Sequence, residues 1–319
     1  MAYCISYWGH GDAQMRFWAG VTDNRWYEFV RQRNCDEVNF WQPSGRPPFV
    51  NLPPGTPFLF KLKRPHNCIA GGGHFVRYTR LPLSVAWDVF AEQNGASSFR
   101  GLHDLIAANA ADPPGPNPDI GCTAVTDVFF LPREKWIPVD DLFAKSIMRG
   151  RIYDTAKADG EKLWALVQAA QDGGALAEEP PMTDVNRFGE AFLTRARLGQ
   201  SSFRTLVIDA YGRKCALTGE STLPVLEAAH IRPYSDHGPH AISNGLLLRS
   251  DFHKLFDAGL ITVEPDYKIR VSTRIRGQYF NGKAYYRLEG QELATMPERA
   301  LDRPNPEFLR WHNHERFAA

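Results

Sequence analysis

The sequence predicts an α+β protein of two domains, and three observations carry that prediction. At 319 residues the chain is longer than one hydrophobic core usually spans. Residues Asp172 to Thr183 are rich in glycine, acidic residues and proline and show no periodicity, which is the composition of a linker. Short aromatic strand candidates precede that stretch, and an order of strand, loop, strand and helix follows it. The expected division is a domain over 1–171, a linker over 172–183 and a second domain over 184–319.

In the first domain, Phe17 to Val21 and Phe58 to Leu62 are short and aromatic-rich, the second just after Pro53, Pro54 and Gly55, which punctuate a strand. Phe75 to Thr79 follows three glycines and partly alternates. Cys122 to Phe130 and Trp136 to Val139 complete the strand candidates. Ser84 to Gln93 reads as a helix, with a polar start, apolar Val85, Ala86, Val89 and Phe90, and Asn94-Gly95 after its end. Ala111 to Asp119 is too proline-dense for a helix or a central strand and reads as a surface loop. Several short strands with a flanking helix suggest a small, partly open β-barrel.

In the second domain, Phe188 to Tyr211 carries apolar residues at mostly helical spacing interrupted by Gly199, so two helices or one broken helix are expected. Either form brings Arg195, Arg197 and Arg204 near one another, where guanidinium groups could contact phosphates or simply be solvated. Leu223 to Ala229 reads as a strand ending at His230, and Arg232 to Ser243 as a polar loop. Leu246 to Leu248 form a second strand, and Ser250 caps a helix running through Phe256. Gly259 to Glu264 and Lys268 to Thr273 read as a hairpin. His312 and His314 are expected on the surface of a terminal helix.

Composition narrows the class. A hydrophobic share of 43% and a charged share of 23% are those of a globular protein. A net charge of +1 argues against a protein that coats nucleic acid non-specifically, while leaving local basic faces open. No apolar stretch is long enough to cross a bilayer and no secretory leader pattern is present, so no membrane partner and a cytoplasmic location are expected. The five cysteines are odd in number, widely spaced and without a C-x-x-C pair, which fits neither a disulfide framework nor a structural zinc site.

Two resemblances follow from the motifs. Gly20 to Asp23, Trp26, Asn39 to Ser44, Gly55 to Lys61 and Ile69 to Gly73 occur in an order that resembles barrels of the PUA superfamily, particularly EVE-like and ASCH-like domains. That resemblance implies a pocket for a flipped or modified base. Trp26, Asn39, Trp41 and Gln42 offer the stacking faces and amide groups such a pocket needs. Tryptophans are also core builders, and an asparagine before an aromatic can serve a turn alone. The triple glycine Gly71 to Gly73 is equally open to two readings, a close backbone approach by nucleic acid or a tight turn.

The second resemblance covers Arg195 to Thr273. Ala228-Ala229-His230-Ile231-Arg232-Pro233, then Asn244-Gly245 and Asp251-Phe252-His253, resembles the HNH endonucleases, whose site is a ββα-metal fold. It implies that His230 is the general base activating water, that Asn244 fixes the loop and orients the base, and that His253 ligates a divalent metal, Mg²⁺, Mn²⁺, Co²⁺ or Ni²⁺. An imidazole of pKa about 6.5 suits the first role at neutral pH. Asp257 lies four residues after His253 on one helical face and is the second ligand candidate. Arg232 joins Arg195, Arg197 and Arg204 as a candidate DNA contact.

The sequence departs from that family in two places. Many relatives carry a metal ligand immediately before the first His, where this chain has Ala229. Glu227 is near, but simple alternation does not set it beside either imidazole. Many relatives also hold a structural zinc with two C-x-x-C pairs, whereas here Thr218 stands where a partner of Cys215 would be. The expectation is a base-reading domain followed by an HNH nuclease that hydrolyses DNA, a modification-dependent restriction activity. A modified-nucleic-acid binding protein with an inactive nuclease domain, or an RNA-directed nuclease, is the alternative. A homodimer would fit, because one such site cuts one strand at a time.

Overall fold

The computed structural model describes residues 14–49, 51–144, 146–171, 192–193 and 198–318. The chain divides into two compact units, Met1–Arg197 and Leu198–Ala319. The expected linker, 172–183, and the arginines Arg195 and Arg197 lie outside the described residues.

The first unit is built on one sheet of β1 (Arg16–Thr22), β2 (Val38–Asn39), β3 (Pro57–Leu62), β4 (Cys68–Pro82), β5 (Asp119–Phe130), β6 (Ile137–Pro138) and β7 (Gly150–Asp154). The order is β2-β5-β4-β3-β1-β7, with β6 on β4. Only β1 and β3 pair in parallel; the other pairs are antiparallel. The sheet is open, as expected of a partly open barrel.

Side chains alternate across it. Phe17, Ala19 and Leu59 share an apolar cluster with Leu163, Trp164 and Val167 of α4 (Ala158–Gln171). Phe58 and Phe60 serve the other face, where Phe40 meets both and Trp26 meets Phe40 and Phe60 edge to face.

Helices are more numerous here than the single one expected. Besides α2 (Leu83–Phe90) and α4, the unit holds α1 (Asn24–Gln32) and α3 (Phe99–Asn109). Asp23 caps α1 by accepting the N–H groups of Arg25 and Trp26, and Ser98 caps α3 by accepting that of Gly101. The triple glycine lies inside β4. A Cβ would stand 2.4 Å from the Phe129 oxygen at Gly71, 2.6 Å from the Phe58 oxygen at Gly72 and 2.7 Å from the Thr126 oxygen at Gly73. The run is glycine because β3 and β5 crowd it, and it forms neither a turn nor an open surface.

The second unit opens with α5 (Gln200–Ala210), whose N-cap is Gly199. Antiparallel β8 (Leu226–His230) and β9 (Gly245–Arg249) follow, with His230 opposite Gly245, and then α6 (Ser250–Asp257). Ser250 begins that helix without capping it, since Arg249 holds the cap position and ion-pairs with Asp251. A hairpin of β10 (Ile261–Val263) and β11 (Ile269–Val271) precedes α7 (Arg274–Tyr279), α8 (Lys283–Tyr286) and α9 (Pro306–Glu315).

Phe252 and Phe256 are the buried side of α6. His312 of α9 is buried rather than on the surface, 2% exposed and stacked on Phe256 with ring centroids 3.7 Å apart. His314, one turn-side away, is exposed as expected. Among the described residues, no helix is long and apolar enough to cross a membrane.

Candidate active site

The site forms where β8 ends and the long loop to β9 begins. Asn244, wholly buried, ties that loop shut. Its Oδ1 accepts the Arg232 N–H at 2.9 Å, and its Nδ2 donates to the carbonyls of Arg232 at 2.9 Å and Pro239 at 2.8 Å. Main-chain bonding continues the closure, with the Ile231 N–H donating to the Asn244 carbonyl. Gly238 fits because a Cβ there would lie 1.8 Å from the Arg232 oxygen and 2.9 Å from Asn244 Nδ2. Asn244 therefore spends its whole amide on backbone, which leaves His230 at a fixed place on the rim.

His230 is held on two sides. Phe203 of α5 stacks on its ring, centroids 3.8 Å apart and planes within 14°. Its Nε2 lies 2.9 Å from Nδ1 of His240, whose own ring stacks on Tyr234 at 4.9 Å and 11°. Burial, joined by the charges of His240, His253 and Arg204, pushes the His230 pKa down to about 4. The imidazole is therefore neutral at neutral pH and able to accept a proton.

His253 projects from α6 between two carboxylates. Its Nδ1 is 2.6 Å from Glu227 Oε2 and its Nε2 3.4 Å from Asp257 Oδ2. Glu227 thus lies beside an imidazole, contrary to the expectation from simple alternation. A carboxylate can only accept, so Nδ1 of His253 carries a hydrogen towards Glu227, and with a cation held between Nε2 and Asp257 the Nε2 lone pair would point to that cation. That is the arrangement in which an outer carboxylate orients a metal-binding imidazole.

The donor set suits a divalent ion, because one imidazole nitrogen and one carboxylate on the same helix face are ligands that Mn²⁺, Co²⁺, Ni²⁺ and Mg²⁺ accept. Among the described residues, no group of three or more His, Cys, Asp or Glu is arranged to hold a metal. Among the described residues, His253 and Asp257 are the two donors placed here.

The remaining candidates fall as follows. Arg204 of α5 is close enough to His230 to oppose its protonation. Arg232 donates from Nε to the Asp236 carbonyl and lies over the Trp311 ring. In the first unit, Asn39 Nδ2 donates to Asn94 Oδ1 and Trp41 Nε1 to the Asn94 carbonyl, both at 2.9 Å, while the neighbouring Gly95 lies against the Trp26 indole. Gln42 bridges to Gly121 through its backbone. Trp26, Asn39 and Trp41 are all buried, so the three are brought together inside packed structure. Sequence reasoning missed His240 and Phe203, which stand 10 and 27 residues from His230 with no period linking them.

A strand, loop, strand and helix frame that presents His230, Asn244 and the His253–carboxylate group has the element order of the ββα class. Residues 215–264 match the HNH_2 family of HNH endonucleases, a span containing β8, the loop, β9 and α6. The C-terminal unit therefore carries an HNH endonuclease domain, and HNH nucleases generally use a divalent metal.

Among solved structures, the chain is similar to ASCH from Zymomonas mobilis, at 14% identity over 46% of this chain and 94% of that one, with a TM-score of 0.34. It is also similar to the modification-dependent TagI restriction endonuclease, at 13% identity over 87% of this chain and 74% of that one, with a TM-score of 0.26. No curated protein matches it.

Proposed function

We propose that the chain is a metal-dependent DNA endonuclease of the modification-dependent restriction type. In this reading the C-terminal unit hydrolyses the phosphodiester, and the N-terminal unit reads a modified base. The observation that carries the cleavage half is the pairing, on one frame, of a neutral His230 with a His253 whose Nδ1 is held by Glu227 and whose Nε2 faces the Asp257 carboxylate. His230 takes the proton from the attacking water. His253 and Asp257 would hold the divalent ion, which supplies charge stabilisation at the scissile phosphate. Arg204 and Arg232, with Arg195 and Arg197, would bind flanking phosphates.

The reading half is supported by polar atoms that are buried without partners. Trp26 Nε1 and Asn39 Oδ1, a donor and an acceptor, both lack a hydrogen-bond partner. A buried polar atom left so costs about 1–3 kcal/mol, which a base edge would recover once the side chains packed over it part to admit the base. Trp41 and Gln42 would flank the same base.

The test is cleavage of plain DNA and of DNAs carrying different base modifications, with Mg²⁺, Mn²⁺, Co²⁺ or Ni²⁺. Cutting should require the metal, favour one modification, and fall about 10² to 10⁴-fold in His230→Ala. No cutting of any DNA, with His230→Ala indistinguishable from wild type, refutes the nuclease; selective binding of modified DNA in that case would mark a binding protein. Equal cutting of plain and modified DNA, unchanged in Asn39→Leu, refutes the reader.

A further inference from the structure

The loop between β8 and β9 carries a histidine whose place the closure of the loop does not explain. Asn244 anchors that loop through Arg232 and Pro239, so the chain is already fixed one residue before His240. Yet the His240 ring turns back to put Nδ1 2.9 Å from Nε2 of His230, and Tyr234 stacks on it there. We infer that His240 is a positioning residue for His230: its Nδ1 accepts the Nε2–H of the base and holds that ring in the tautomer whose Nδ1 is free to take a proton from water.

Hydrogen-bond chemistry narrows the choice to this. Two neutral imidazoles facing each other nitrogen to nitrogen share one hydrogen, so one ring donates and the other accepts. If His240 donated, the Nε2 lone pair of His230 would be occupied and its Nδ1 would carry the other hydrogen, leaving the ring no lone pair with which to act. If His230 donates, its Nδ1 is bare, and both rings adopt the Nε2–H form that neutral histidine intrinsically prefers. Phe203, stacked on the face of His230, and Tyr234, stacked on His240, keep the two rings from rotating out of this contact. The logic is that of an acceptor fixing the tautomer and direction of a catalytic imidazole.

The inference rests on the nuclease reading for its kinetic consequence, and its structural half is measured without catalysis. In the full chain labelled with ¹⁵N-histidine, free of DNA and metal, the ring nitrogens of His230 should report a single Nε2–H tautomer. His240→Ala should release it to a mixture, and His240→Asn, whose Oδ1 can stand where Nδ1 stood and only accept, should restore it. On cleavable DNA, His240→Ala should lower kcat about 100-fold, the low end of what general-base catalysis contributes, with KM unchanged, and His240→Asn should recover most of the loss.

An Nδ1–H tautomer in the wild type, or an unaltered His230 tautomer in His240→Ala, overturns the inference. So does an equal loss of kcat in the Ala and Asn variants while the tautomer is unchanged. If the wild type shows the Nε2–H form and responds to both variants but cuts no DNA, the nuclease reading fails and the positioning contact stands.

Discussion

Removing the Glu227 carboxylate should weaken metal binding by about tenfold without abolishing it. The contact is an N–H to carboxylate hydrogen bond of 2.6 Å, a charge-assisted type that contributes about 1.5–3 kcal/mol when protected from water. Glu227 is 43% exposed at its side chain and His253 22%, so solvent screening takes the contribution to the bottom of that range. About 1.4 kcal/mol is tenfold in a dissociation constant.

The assay is calorimetric titration of Mn²⁺ into the full chain, comparing Glu227→Ala, Asp257→Ala and His253→Ala. Because Glu227 meets Nδ1 and Asp257 the Nε2 side, the losses should rise in the order Glu227→Ala, Asp257→Ala, His253→Ala. Equal affinity in Glu227→Ala and wild type would refute an orienting role. A loss in Glu227→Ala as large as that in His253→Ala would refute the assignment of Asp257 as second ligand and make Glu227 a ligand itself.

Two further outcomes follow. Asn244→Asp should destabilise the C-terminal unit more than Asn244→Ala in urea unfolding, because a carboxylate would face the Arg232 and Pro239 carbonyls at the 2.8–2.9 Å now bridged by N–H groups, a buried mismatch of several kcal/mol; an Asp variant as stable as wild type would contradict the loop closure described. His312, pushed down to about 4 chiefly by burial, is neutral in the fold while the unfolded chain protonates near 6.5. Its stabilising share is intact above pH 6.5 and is lost as pH falls from 6.5 towards 4, by up to about 3 kcal/mol; in His312→Gln the stability of the unit should fall less steeply over that window, and an unaltered slope would refute the burial of a neutral ring.

The strands and helix that frame the site were legible because each has a local signature. β9 and α6 lie within one residue of their expected spans, and β8 ends at His230 as expected; a 3₁₀ turn over Leu223–Val225 replaces its first residues, where Pro224 cannot join a ladder. Asn244 was readable from its place before Gly245. What the sequence hid were contacts made across elements. His240 is placed by the fold of an irregular loop, for which no periodicity exists. Phe203 lies on a helix whose apolar spacing announces a buried face without naming the ring it covers.

In the first unit, Asp23 and Ser98 cap α1 and α3, two helices absent from the sequence-based expectations although each begins with a capping residue. Gly71 to Gly73 likewise reads as a break, while the crowding of β4 by its neighbours makes glycine the residue that lets the strand continue. Base-pocket candidates were recognised by residue type, but type alone does not tell a stacking face from a core face, and Trp26 is 2% exposed.

The gap at Ala229 is explained by the same period of two that first set Glu227 aside. Residues 227 and 229 share a strand face, and 230 points to the other. Ala229 is wholly buried opposite Leu246, so a charged ligand there would have to be desolvated in the strand pair. Two residues earlier on the same face, Glu227 is partly solvated, and its longer side chain reaches His253. Alternation therefore separates Glu227 from His230 and aims it at the helix that carries His253. Glu227 does not take the place of the metal ligand absent at Ala229; its contact with Nδ1 turns the Nε2 side of the second histidine towards Asp257. A carboxylate moved to 229 should not replace Glu227, because the face is the same but the depth is not.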